Sequence, residues 1–114
     1  MEMSGRTFPT LAQRKARRVA SLHEAVATLC DRLEHYARTH GGRFLLYGSA
    51  ARGELRYDSD IDLLLDFPED RLSEAWRHAE SICHDLGLQP DLCPLAWCGA
   101  EFAARVRDHA VTLG

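Results

Sequence analysis

Two short apolar runs constrain this chain more than any other feature. Arg43 to Tyr47 (RFLLY) and Ile61 to Leu65 (IDLLL) are too short for buried helices and too apolar for loops. Each has the length and composition of a core strand. Helical periodicity surrounds them. From Leu11 to His40, Leu22, Val26, Leu29, Leu33 and Tyr36 recur at alternating steps of four and three, which sets them on one stripe of an α-helix. Gly41-Gly42 supplies its stop. Pro68 ends the second run, and Glu69 to Leu86 reads as a helix with Leu72, Trp76, Ala79, Ile82, Cys83 and Leu86 on one face. Glu69 and Asp70 suit the positive end of that helix, and Gly87 closes it. A third short strand is expected within Gln89 to Trp97, between Pro90 and Pro94. A last helix is expected from Ala100 to His109, then an apolar tail, Val111 to Leu113.

Short strands alternating with helices predict an α/β (α+β) fold, a small mixed sheet of about three strands packed by helices, with a long N-terminal helix. At 114 residues the chain is expected to form one domain over residues 11–114, preceded by a flexible leader over residues 1–10. Trp76 and Trp97 are expected to anchor the core rather than to serve as ligand platforms. The net charge of −3 excludes a polycation built to coat nucleic acid, and direct nucleic-acid binding is not expected. Arg14, Lys15, Arg17 and Arg18 form a basic block that is either a solvated helix face or a contact surface for RNA or an acidic partner. The four cysteines, Cys30, Cys83, Cys93 and Cys98, lack paired zinc spacing. They read as free thiols of a reducing cytoplasm, with Cys30 and Cys83 as small buried groups on helices. With no apolar segment for secretion or membrane spanning, a cytoplasmic location is expected.

The chemistry is concentrated in Gly48 to Asp62, GSAARGELRYDSDID. Gly48-Ser49 follows a strand and opens about one helical turn. Glycine allows a sharp turn and a close approach, the first amides of the turn lack helical partners, and the serine adds a hydroxyl donor. Together these groups suit a phosphate. Asp60 and Asp62 flank Ile61. Because strand side chains alternate, Ile61 and Leu63 enter the core while both carboxylates share the other side. Two carboxylates roughly 5 Å apart repel by about 3 kcal/mol at an effective dielectric of about 20. A divalent cation is the natural compensation, and oxygen ligands favour magnesium, with manganese as the alternative. Asp91, near the start of the third strand, is the candidate third carboxylate, and three carboxylates can bridge two metals for an in-line phosphoryl displacement. Asp66 reads as the polar end of its strand and Asp58 as a turn residue. Arg52, one turn after Ser49, is expected either to bind a triphosphate oxygen or to pair with an aspartate of the cluster. Arg56 reads as solvated.

Gly-Ser, then residues 50–59, then Asp60-Ile61-Asp62 resembles the signature of the DNA polymerase β-like nucleotidyltransferases. Ala51-Arg52-Gly53-Glu54 and Ser59-Asp60-Ile61-Asp62-Leu63-Leu64 resemble its small prokaryotic branch, the minimal nucleotidyltransferases. The resemblance spans roughly residues 44–110 and is loosest around Asp91. It implies that Asp60 and Asp62 bind magnesium, that Gly48 and Ser49 hold the triphosphate of ATP, and that Asp91 activates an attacking hydroxyl. It implies transfer of AMP from ATP. It further implies a HEPN ribonuclease toxin as partner in a hetero-oligomer, neutralised by modification of a tyrosine, with this chain as the antitoxin. An antitoxin that acts by binding alone is the alternative. A small-molecule acceptor is disfavoured, because a chain of this length leaves little room for a substrate domain.

Overall fold

The computed structural model describes residues 8–114. The expected leader over residues 1–10 falls mostly on residues 1–7, which lie outside the described residues. The elements are α1 (Leu11–His40), β1 (Arg43–Tyr47), α2 (Gly48–Ala51), β2 (Ile61–Asp66), α3 (Glu69–Asp85), β3 (Pro90–Pro94), a 3-10 turn (Leu95–Trp97), α4 (Ala100–His109) and β4 (Val111–Leu113). The sheet runs β3-β2-β1-β4. β1 is antiparallel to both β2 and β4, while β2 and β3 are parallel and joined by the α3 crossover.

The sheet carries one strand more than the three expected. The apolar tail after α4 folds back beside β1, with Phe44 opposite Leu113. Three residues are too few to display an alternating pattern, so the tail reads as a strand only once β1 offers it an edge.

Both faces of the sheet are covered, which is why β2 is a continuous apolar run rather than an alternating one. Phe44, Leu46, Ile61, Leu63, Leu65 and Leu113 pack under α1 and α3. Leu45 and Leu64, on the opposite face, pack with Leu95 and with Ala103 and Val106 of α4. The stripe on α1 is buried as its spacing predicts, at Leu22, Val26, Leu29, Leu33 and Tyr36. On α3 the buried positions are Ala75, Ala79, Ile82 and Cys83, while Leu72, Trp76 and Leu86 are half-buried at the rim. Trp97 departs from its expected role as a core anchor. It is 72% exposed, because it sits on the 3-10 turn after Pro94 and outside both layers.

Helix α1 starts in a capping box that pattern reading did not use. Gln13 N–H donates to Thr10 Oγ1 at 3.1 Å, and Thr10 N–H donates to Gln13 Oε1 at 2.8 Å, satisfying amides that the first turn leaves open. It ends at Gly41, in the left-handed region at φ 75°. The first buried residue of α1 is Leu22, so its N-terminal third projects beyond the sheet and contributes to a molecule 64 × 27 × 17 Å in extent. Arg14, Arg17 and Arg18 are exposed. Arg18 Nη2 donates to Gly87 O at 3.1 Å, and Lys15 Nζ lies 4.4 Å from the centre of the Tyr57 ring. No helix among the described residues is long and apolar enough to cross a membrane.

The two halves of α1 should respond differently to substitution. Leu33, wholly buried, should lose about 2–5 kcal/mol on truncation to alanine. Ala16→Gly, in the projecting part, should cost about 1 kcal/mol or less. Urea unfolding of both variants checks the contrast, and equal losses would contradict the packing described.

Candidate active site

The sheet brings the singled-out carboxylates to one end through register. β1 leaves Tyr47 opposite Asp62, and the parallel pairing of β2 with β3 sets Asp62 beside Asp91. Ile61 N–H donates to Gln89 O at 2.8 Å, tying the entrance of β2 to the entrance of β3. Ile61 and Leu63 are buried on the α1–α3 face, so alternation turns Asp62 to the α4 face. Asp60 lies just before the strand and is exposed, as is Asp91, while Asp62 is half-buried.

Gly48 is the pivot of this end. Its φ is 73°, a conformation that disfavours any side chain. A Cβ added there would also collide with the Asp62 carboxylate. The residue is therefore glycine for two separate reasons, and the second ties the Gly-Ser turn directly to the Asp-x-Asp strand. After it, α2 makes a single turn. Arg52 N–H donates to Gly48 O at 3.3 Å and Glu54 N–H to Ser49 O at 2.9 Å, with Gly53 at φ 70° closing the turn.

The electrostatics follow from the crowding. Burial first, then the charges of Asp91 and Asp60, and then a hydrogen bond with Asp91, hold the Asp62 carboxyl above the ordinary carboxylate range, and Arg52 opposes them. Tyr47, on the same face, is pushed up to about 12 by burial and then by Asp62 and Asp91, so its phenol keeps its proton at any physiological pH. Its ring meets Phe102 of α4 edge-on, with centroids 5.9 Å apart. Tyr47 belongs to the site although pattern reading treated it as a plain strand residue. Its position opposite Asp62 emerges only once the β1–β2 register is known.

Asp62 and Asp91 are thus neighbours across the β2–β3 pairing, and the charges of Asp91 and Asp60 both act on Asp62. Among the described residues, no three acidic, histidine or cysteine side chains are already gathered closely enough to hold a metal ion. The donor set nevertheless fits a hard divalent cation. It is all oxygen, carries excess negative charge and includes a carboxyl that burial and its neighbours make reluctant to ionise. Arg52 is paired with Glu54 rather than with an aspartate of the cluster. Its Nε bonds Glu54 Oε1 at 2.7 Å, on exposed side chains. With Ser49, Glu54, Arg56 and Ser59 it lines an open cleft of about 570 Å³, so Arg56 faces this cleft. Arg56 N–H donates to Ser59 Oγ at 2.7 Å and Ser59 N–H to Arg56 O at 3.1 Å, which sets the turn leading into Asp60. Asp66 ends its strand as expected, paired with Arg43 at 2.7 Å.

With this geometry in view, the likenesses to known proteins are specific. A family model described as nucleotidyltransferase domain matches residues 26–108, a span that contains Gly48, Ser49, Arg52, Asp60, Asp62 and Asp91. A solved structure assigned provisionally as a minimal nucleotidyltransferase is 26% identical, with a TM-score of 0.66, over 78% of this chain and 93% of that one. No curated protein matches the chain significantly.

The Gly48–Asp62 contact can be tested by a double-mutant cycle. Gly48→Ala should lower stability by about 1–2 kcal/mol or more from backbone strain and collision. In an Asp62→Ala background the loss should shrink toward the backbone part alone, measured by denaturant unfolding. Additive losses would mean that the two groups do not touch.

A second test concerns Asp62 alone. A carboxyl whose value is raised by folding binds its proton more tightly in the folded chain, so it burdens stability as pH climbs above the ordinary carboxylate range. In metal-free buffer, Asp62→Asn should therefore raise the thermal midpoint at pH 7. The advantage should fade as pH falls below that range. A lowered midpoint at pH 7 would contradict the crowding.

Proposed function

Because the chain belongs to the nucleotidyltransferase-domain family, in its minimal branch, we propose that it transfers AMP from magnesium-bound ATP to a hydroxyl on a protein. Nucleotidyl transfer is the activity of the family. The identity of the donor, the acceptor and the individual residue roles are our reading. The observation that carries it is the position of Asp62, in register with Asp91 and packed against the Gly48 backbone, because this joins the acidic end of the sheet to the phosphate-suited turn.

In this reading Gly48 and Ser49 receive the polyphosphate through backbone amides and the serine hydroxyl, and Asp60, Asp62 and Asp91 would hold magnesium. The cation would neutralise triphosphate charge and supply the counter-charge that the crowded carboxylates call for. Asp91, exposed at the strand entrance, takes the proton of the attacking hydroxyl. Arg52, held at the rim of the cleft by Glu54, turns positive charge toward the triphosphate. Tyr47 keeps its proton and offers a donor beside Asp62.

The acceptor we propose is a tyrosine of a HEPN-type ribonuclease toxin, this chain being its antitoxin. Support comes from the resemblance of GSAARGELRYDSDID to the minimal branch and from the exposure of Asp60 and Asp91, which leaves the acidic end open to a large acceptor.

Purified chain with magnesium and α-labelled ATP should label the HEPN-type toxin on tyrosine. Asp62→Asn should reduce labelling by about 100-fold or more, and Gly48→Ala by at least about tenfold, with circular dichroism unchanged. Labelling that survives Asp62→Asn at full rate would refute the assigned roles. Neutralisation of the toxin without any labelling would identify an antitoxin that works by binding alone.

A further inference from the structure

Strand β3 ends beside a second thiol. The Sγ atoms of Cys93 and Cys98 lie 4.0 Å apart. Both donate to the same acceptor, Pro94 O, each at 3.6 Å. The 3-10 turn Leu95–Trp97 folds the chain back between them, and Cys98 N–H closes it by donating to Leu95 O at 3.0 Å. Cys98 is reluctant to lose its proton, because burial and then the neighbouring Cys93 push its thiol up. The two thiols thus share one carbonyl. Cys30 and Cys83 belong to the other core, under α1 and α3.

We propose that Cys93 and Cys98 are a redox-modification site, which a peroxide converts to a disulfide that locks the turn carrying Trp97. In the first step one sulfur attacks a peroxide oxygen. The O–O bond breaks, an S–O bond forms and an alcohol or water leaves, giving a sulfenic acid. In the second step the other sulfur attacks the sulfenic sulfur. The S–S bond forms, the S–O bond breaks and water leaves. The two thiols lose two electrons and two protons, and the peroxide takes up both.

A disulfide bond is about 2.05 Å long, so the sulfurs must close by about 2 Å from their present 4.0 Å. The turn can supply that movement. Pro94 and Leu95 are buried and fixed, while Ala96 and Trp97 are exposed. The part that moves is therefore the outer half of the turn. Trp97 lies inside the ring that the bond would close, and its indole is 6.2 Å from that of Trp76. These are the two tryptophans of the chain, so intrinsic fluorescence reports directly on this turn.

The experiment treats the full chain with hydrogen peroxide, blocks remaining thiols with a maleimide and maps the peptides by mass spectrometry. Two of the four thiols should disappear, with loss of two hydrogens from the mass and a peptide linking Cys93 to Cys98. Tryptophan fluorescence should shift in step, and dithiothreitol should reverse both changes. Cys93→Ser and Cys98→Ser should each abolish the link and the shift, whereas Cys30→Ser should retain them. The proposal is overturned by sulfinic acid at either position without a link, by pairing with Cys30 or Cys83, or by a bond between two chains. A link that forms with fluorescence unchanged would overturn the locking of the turn. None of these readouts depends on nucleotide chemistry.

Discussion

The packing of the Asp62 carboxylate onto the bare backbone of Gly48 is the contact on which the rest of this molecule depends. It occurs because β1 hands the chain to α2 at the position where the antiparallel register places Tyr47 opposite Asp62. A strand residue and a turn residue that are far apart in sequence thereby become one unit. Shifting that register by one residue would turn Asp62 into the α1–α3 core and bring an apolar side chain to the turn. The burial of Ile61, Leu63 and Leu65 opposes such a slip. The core thus acts on chemistry chiefly by enforcing alignment.

The same enforcement extends to β3. Asp91 reaches Asp62 only through a parallel pairing, which needs a crossover and cannot be made by a tight hairpin. Helix α3 supplies that crossover while covering one face with Ala75, Ala79, Ile82 and Cys83. The small residues among these let the helix lie close to the sheet. Crowding the carboxylates is unfavourable in itself, since burial and the charges of Asp91 and Asp60 make Asp62 harder to ionise. The fold sustains that local cost because two cores, one on each side of the sheet, hold the strands in place.

Much of this was legible in the residues. The stripe on α1 identified its element because burial of one side imposes a period of about 3.6, and the run of β2 did so because a strand covered on both faces is apolar almost throughout. The alternation of Asp60-Ile61-Asp62 foretold which side chains would enter the core. Less was legible where a feature depends on three-dimensional proximity. Gly48 could be read as a turn residue, but not as the seat of the Asp62 carboxylate. Tyr47 needed the register before it could be assigned to the site. Arg52 finds Glu54 two residues on, a local partner that reading toward the aspartates passed over. Trp97 looked like core because tryptophan usually is. Its exposure follows from a 3-10 turn that leaves no period to read, and the same turn brings Cys93 and Cys98 together. The capping box at Thr10 and Gln13 was visible as a spacing but became informative only with its two hydrogen bonds.

Helix α1 carries one more implication. Its first three turns rest on no core residue, since burial begins at Leu22. A free segment of that length is below what sustains a helix in water on its own. Its order is borrowed from the buried two-thirds, from the Thr10 cap and from the tethers at Gly87 and Tyr57. The helix can therefore unzip inward from Thr10 as far as Leu22 without disturbing the sheet. Amide protons along that stretch would exchange by fraying, while those beyond it wait for global unfolding.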